Sequence, residues 1–150
     1  MDEQTLLKLD NQLCFTIYAC SREISRLYRP LLDKLGLTYP QYLVLLILWE
    51  QQESTVKELG ELLYLDSGTL TPMLKRMEAA GLIIRERSSE DERKVIIRLT
   101  EQGRDLREKA TCIPKALLTQ SGISREEFIR LLNQCKQLLE RVHQLNEKFR

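Results

Sequence analysis

Thr55-Val56-Lys57-Glu58-Leu59-Gly60-Glu61-Leu62-Leu63-Tyr64-Leu65-Asp66-Ser67-Gly68-Thr69-Leu70-Thr71-Pro72-Met73-Leu74-Lys75-Arg76-Met77-Glu78-Ala79-Ala80-Gly81 spells two short helices joined by a tight turn. Thr55 with Glu58 forms a capping box ahead of Val56, Leu59, Leu62 and Leu63, enough apolar residues at helical spacing for about two turns. Asp66 or Ser67 caps the second helix, and Gly81 supplies the left-handed residue beyond its end. Leu82 to Arg87 and Lys94 to Leu99 are β-branched runs on either side of the polar stretch Ser88 to Arg93, which predicts a hairpin with a charged tip. Helix, turn, helix and hairpin in that order make a winged helix-turn-helix, whose second helix enters the major groove of DNA.

The second helix divides into two faces. Leu70, Leu74 and Met77 fall on a core-facing stripe, while Ser67, Gly68, Thr69, Thr71, Pro72, Lys75 and Arg76 fall on the other. Small hydroxyls at a helix start reach phosphates and base edges without holding the backbone away, and Lys75 and Arg76 reach phosphates or guanine. Arg85, Arg87, Asp91 and Arg93 of the hairpin complete the candidate DNA-binding set. Charge lends this set little support, because Asp66 to Leu99 holds seven basic and six acidic residues. The reading therefore requires Arg85, Arg87 and Arg93 to project together, and its competitor is a helix-turn-helix used only for packing.

Outward from this centre, Leu6, Leu9, Leu13, Ile17, Ile24, Leu27 and Leu31 recur at three- and four-residue steps, predicting one long helix from about Leu6 to Leu32. Gly36 ends it. Thr38 and Gln41 form a capping box for a helix over about Tyr39 to Gln52, apolar nearly all round and thus buried. Helical signals resume after Thr100 and again after Ser124, where Ser124 with Glu127 caps a stripe of Phe128, Leu131, Leu132, Cys135, Leu138, Leu139 and Val142. The fold class is mainly α with a small two- or three-stranded β wing. One domain over 1–150 is expected, with dimerisation helices at about 1–35 and 101–150 around a winged helix-turn-helix at about 36–100. The long terminal helices carry more apolar stripe than so small a core covers, which predicts pairing across a two-fold axis.

Composition narrows the function. At 150 residues, 43% hydrophobic and 30% charged, the chain is too short for a multidomain enzyme. Its longest apolar run, Leu43 to Trp49, cannot span a bilayer, and residues 1–13 lack the pattern of a secretory signal, so a cytoplasmic protein without a membrane partner is expected. The four cysteines show no CxxC spacing and His143, a solvated position on the last helix, is the single histidine, so neither metal nor cofactor is expected. No Ser-His-Asp set or Gly-rich phosphate loop suggests an enzyme.

The stretch Leu59 to Glu78, followed by Gly81-Leu82-Ile83 and Asp91-Glu92-Arg93, resembles the MarR family of winged-helix repressors over almost the whole chain. Asn11-Gln12-Leu13-Cys14-Phe15, Leu37-Thr38-Tyr39-Pro40-Gln41-Tyr42 and Leu48-Trp49-Glu50 further resemble the OhrR-type organic-hydroperoxide sensors within it. The resemblance implies a homodimer that holds double-stranded operator DNA and leaves it when a cysteine near the N-terminus is oxidised by an organic hydroperoxide. By position that cysteine is Cys14. It also implies two tyrosine hydrogen-bond partners, at Tyr28 and Tyr39.

A sensing cysteine must be an accessible thiolate, since the thiolate attacks the peroxide bond. The first helix favours negative charge at Cys14 if it starts near Asp10, and much less if it starts near Thr5. Tyr18 follows at i+4 on the same face and is a further candidate partner. Tyr28 is fourteen residues on, about 21 Å along a straight helix, so it can meet Cys14 only from a second subunit. Cys20 and Cys135 sit at packing positions. Some relatives close an intersubunit disulfide through a cysteine just beyond the segment matching Ile113-Pro114, but Lys115 to Thr119 holds none. This favours a one-cysteine sensor whose sulfenic acid is trapped by a low-molecular-weight thiol or as a sulfenamide, with Cys112 as the alternative resolving thiol. Two rival readings remain. One is a MarR-type repressor released by a noncovalent aromatic ligand bound among Tyr18, Tyr28 and Tyr39, and the other is a thiol-based redox protein that does not bind DNA.

Overall fold

The computed structural model describes residues 3–150. Packing divides the chain into two compact units, one ending at Ile113 and the other covering Pro114–Arg150. The first unit holds α1 (Glu3–Leu6), a 3-10 turn (Leu9–Asn11), α2 (Leu13–Lys34), α3 (Tyr39–Gln51), β1 (Glu53–Thr55), α4 (Val56–Leu63), α5 (Ser67–Ala79), β2 (Ile83–Arg87), β3 (Val95–Leu99) and α6 (Glu101–Ala110). Helix α7 (Cys112–Gln120) spans the division, and α8 (Arg125–Lys148) makes up most of the second unit.

The predicted single helix from Leu6 to Leu32 is broken. Its three- and four-residue apolar spacing runs on through Leu6, Leu9 and Leu13, but local side-chain amides compete for the backbone. Asn11 Nδ2 donates to the Thr5 carbonyl at 2.7 Å, and Gln12 Nε2 donates to the carbonyls of Leu6 and Lys8. These bonds satisfy the C-terminal carbonyls of α1, and the long helix starts afresh at Leu13.

Each expected capping box forms. Thr38 accepts from Gln41 N–H, Thr55 from Glu58 N–H and Ser124 from Glu127 N–H, with the reciprocal glutamine or glutamate bond closed in all three. Asp66 caps α5 by accepting from Thr69 N–H at 2.7 Å, and Gly81 follows its end at φ +77°. The turn between α4 and α5 is tight enough that a Cβ on Gly60 would lie 2.7 Å from the Leu65 carbonyl oxygen, so only glycine fits there.

The core of the first unit is drawn from every element of the winged helix-turn-helix. Val44, Leu45 and Leu48 of α3, Leu59 of α4, Leu70, Leu74 and Met77 of α5, Ile83 of β2 and Ile97 of β3 are fully enclosed. Each contributes about 1.5–3 kcal/mol of hydrophobic stabilisation. The sheet is antiparallel in the order β1-β3-β2, with Ile97 paired to Ser54 on one side and Arg85 on the other. The wing is thus three-stranded, its short first strand set against β3. Along α8 no residue is buried, and Ile129, Leu131, Leu132, Leu139, Val142 and Leu145 stand exposed.

Candidate DNA interface and redox centre

Because the Asp66 carboxylate takes the Thr69 amide, the first turn of α5 is held open to its surroundings. Ser67, Gly68 and Thr69 are exposed there, Thr71 is half-buried, and Pro72, Lys75 and Arg76 are exposed further along. Leu70, Leu74 and Met77 anchor the opposite face, so the division of this helix follows its sequence pattern. Pro72 lacks an N–H and so gives the Gly68 carbonyl no donor from four residues on.

The wing separates the three arginines that the sequence groups together. Arg87 is exposed at the end of β2, and Arg93 is exposed at the hairpin tip, its Nε donating to Asp91 Oδ1 at 3.3 Å. Asp91 also accepts from the Arg93 backbone N–H at 3.1 Å, which fixes the base of that side chain. Arg85 is half-buried instead. Its backbone N–H and its Nε donate to the two carboxylate oxygens of Glu78, at 3.1 and 3.3 Å. Its charge is answered by the end of α5, so Arg85 does not project with Arg87 and Arg93. Arg98, between Glu53 at 2.6 Å and Glu86 at 2.8 Å, is likewise spoken for and braces the three strands.

Cys14 is the second residue of α2 and is exposed. Because the long helix starts only at Leu13, the Cys14 sulfur stands in its first turn. Tyr18, one turn on, lies under the Arg22 guanidinium, 5.5 Å from its ring centroid. Tyr28 belongs to the same unbroken helix as Cys14 and is buried near its other end.

Tyr28 meets Tyr39 with ring centroids 5.9 Å apart, Tyr39 meets Tyr42 at 6.1 Å, and Tyr42 meets Trp49 edge-on at 6.4 Å. Burial pushes the phenol of Tyr28 upward, aided by Tyr39, and burial alone raises that of Tyr39. Tyr42 is pushed up to about 12, by burial first and then by Tyr28, Tyr39 and Cys112. All three therefore keep their protons at neutral pH and are available as O–H donors. Cys112 stands close enough to act electrostatically on Tyr42, is exposed, and donates its S–H to the Lys109 carbonyl at 3.2 Å. Cys20 and Cys135, expected at packing positions, are exposed in the single chain. Among the described residues no group of three or more His, Cys, Asp or Glu side chains is placed to hold a metal ion.

Sequence reasoning took Tyr42 and Trp49 as plain core. Their spacing from Tyr39, three and ten residues along one helix, marks the shared face on which the four rings join. The clamp of Glu78 on Arg85 carried no such local signal.

The profile of the family described as Transcriptional regulator SarA/Rot matches residues 26–110. The chain is 60% identical over 140 residues to the Organic hydroperoxide resistance transcriptional regulator of Bacillus subtilis (strain 168), covering 93% of this chain and 95% of that one. Among solved structures it is similar to reduced AbfR bound to DNA, with AbfR being a protein of Staphylococcus epidermidis, at 39% identity and a TM-score of 0.76 over 94% of this chain and 99% of the other. Against the disulfide form of AbfR the TM-score is 0.63, at 41% identity over 91% of this chain and 96% of the other. Among the described residues no single helix is long and apolar enough to cross a membrane.

Proposed function

The chain belongs to the SarA/Rot family of MarR-type winged-helix transcriptional regulators, and from that premise we propose that it is a repressor released from operator DNA when organic hydroperoxide oxidises Cys14. One observation carries the reading: the exposed Cys14 thiol occupies the first turn of a helix that begins only at Leu13, in a chain whose α5 turns a small, hydroxyl-rich face outward. The likeness to DNA-bound reduced AbfR and to a disulfide form of that protein supports coupling between a cysteine and DNA.

The chemistry is stoichiometric. The Cys14 thiolate attacks the terminal oxygen of the hydroperoxide; an S–O bond forms, the O–O bond breaks, and the departing alkoxide takes a proton to leave as an alcohol. A small cellular thiol then displaces water from the sulfenic acid to give a mixed disulfide, or a backbone nitrogen does so to give a sulfenamide. Cys112 is the alternative resolving thiol, exposed and close to Tyr42, which packs on Tyr39. Because Tyr28 cannot reach Cys14 along one helix, the reading requires a homodimer in which Tyr28 and Tyr39 of the partner subunit donate to the sulfur. Two α5 helices then meet half-sites about one DNA turn apart on a pseudo-palindromic operator, in the cytoplasm. Ser67, Gly68, Thr69, Thr71, Pro72, Lys75 and Arg76 supply the major-groove and phosphate contacts, and Arg87, Asp91 and Arg93 those of the wing.

Fluorescence anisotropy of an upstream duplex tests this, with near-stoichiometric organic hydroperoxide and then dithiothreitol added to wild type and Cys14→Ser. Release and rebinding by the wild type with the variant staying bound is the expected result. Both staying bound would move the trigger to a noncovalent ligand, and binding by neither would remove the operator assignment. Release of wild type and Cys112→Ser alike would confine the response to one cysteine.

A further inference from the structure

We infer that Trp49 is a positioning residue that links the tyrosine cluster to the joint between the recognition helix and the wing. The inference rests on the repressor reading above and adds the route by which the state of the sulfur reaches the DNA-reading elements. Both ends of that route lie on α3. Its first turns carry Tyr39, packed on Tyr28, and Tyr42, packed on Tyr39, and its last carries Trp49, packed on Tyr42. Trp49 then leaves the cluster by a directional bond. Its indole N–H, buried, donates to the Gly103 carbonyl at 2.9 Å.

Gly103 belongs to a crowded knot. A Cβ on it would lie 2.2 Å from the Leu82 carbonyl oxygen, so α6 presses its backbone directly on the residue that opens the wing. The Gly103 N–H donates to Thr100 Oγ1 at 3.1 Å, that hydroxyl donates to the Gly81 carbonyl at 2.6 Å, and Thr100 N–H donates to the Leu82 carbonyl at 3.1 Å. Gly81 N–H and Leu82 N–H in turn close the end of α5 on the carbonyls of Glu78 and Met77. One knot thus holds the last turn of the recognition helix and the root of β2. Close-packed interiors shift between discrete arrangements rather than deforming gradually. A ring fixed by its N–H cannot rotate to absorb a movement of Tyr42, so the movement passes to Gly103. Filling the core needs only an aromatic ring; coupling needs the N–H.

Trp49 is the sole tryptophan, so biosynthetic replacement by an analogue alters this position alone. Benzothienylalanine keeps the bicyclic shape without the N–H, and 7-azatryptophan restores the donor. The quantity read is the ratio of operator Kd after and before oxidation, with sulfenate formation at Cys14 followed by dimedone trapping and mass spectrometry. The benzothienyl protein is expected to bind operator when reduced and to be oxidised at the wild-type rate, yet to show a release ratio smaller by about fivefold or more. The azatryptophan protein is expected to recover the wild-type ratio, and Thr100→Val, which cuts the same route at the knot, to lower it. An unchanged ratio in the benzothienyl protein, with only its melting temperature lowered, would overturn the coupling role. Failure of the wild type itself to be released by oxidation would instead remove the repressor reading, and this inference with it.

Discussion

Arg85 and Arg93 come from the same hairpin and look equivalent in sequence, yet their surroundings give them different work. Arg85 is half-buried with both its backbone N–H and its Nε on Glu78, whereas Arg93 stands exposed at the tip with Asp91 beside it. An exposed pair of that kind contributes little to stability, so the alignment of Arg93 by Asp91 matters for what the guanidinium can meet outside the protein. Arg93→Ala is therefore expected to weaken operator binding by about tenfold, and by a lower salt slope if the partner is a phosphate. Arg76→Ala should do the same from the major-groove side. Arg85→Ala should leave operator affinity within about twofold while slightly lowering the melting temperature, because it removes the Nε bond and leaves Glu78 only the backbone N–H of residue 85. Anisotropy titrations at two salt concentrations, paired with thermal melts, separate the two classes; wild-type affinity in Arg93→Ala would take the wing tip out of the interface. Residue types nominated all these arginines, but the partner that removes Arg85 sits seven positions away on another element and was not legible.

At the level of elements, what was legible is what is decided locally. Thr38 with Gln41, Thr55 with Glu58 and Ser124 with Glu127 announce helix starts because each box closes within four residues. The start of α2 was hidden because apolar spacing continues through the break, and only the side-chain amides of Asn11 and Gln12 end the preceding helix. Strand β1 was hidden for the opposite reason: three residues whose pairing partner, β3, lies far along the chain leave no periodic trace. Helix α3 was foreseen as buried, but its aromatic face was not, and this face has a measurable signature. Tyr42 ionises at about 12 in the folded protein, chiefly through burial, against about 10 in an unfolded chain. The folded state then holds its proton longer than the unfolded state, so this contribution to stability is complete below about pH 10 and is lost as pH rises toward 12. Tyr28 and Tyr39, also raised, add to the same fall. Urea midpoints from about pH 8 to about pH 11 are expected to decline for the wild type and to decline less for Tyr42→Phe, by up to about 1.4 kcal/mol at the alkaline end. Parallel declines would show that the phenol of Tyr42 is not the group responsible.

At the scale of the molecule, the unburied surface argues for assembly. Leu13, Phe15 and Ile17 at the start of α2 are exposed, as are Leu131, Leu132, Leu139, Val142 and Leu145 of α8. Within α8, Leu132, Leu139, Val142 and Leu145 follow at steps of seven, three and three, with Cys135 and Leu138 between the first two, one stripe along a helix with no buried residue. A stripe of that length left in water is the mark of an interface, and a two-fold partner is the simplest cover for it. The proposed pairing of Tyr28 with Cys14 calls for the same assembly, since Tyr28 lies on the far part of the helix that carries Cys14. Leu139→Glu with Val142→Glu places charge in the stripe without touching the buried residues of the winged helix-turn-helix. Sedimentation equilibrium is expected to show monomers for this double variant, with its circular dichroism preserved because those two side chains are exposed in the single chain. A monomer carries one recognition helix and one wing, so it should bind a full operator no more tightly than an isolated half-site, and peroxide should no longer change that affinity. A variant that stays dimeric with wild-type operator affinity would place the two-fold contact elsewhere. The partner's Tyr28 would then have to reach Cys14 across that other contact, because the helix from Leu13 to Lys34 keeps Tyr28 and Cys14 of one chain apart.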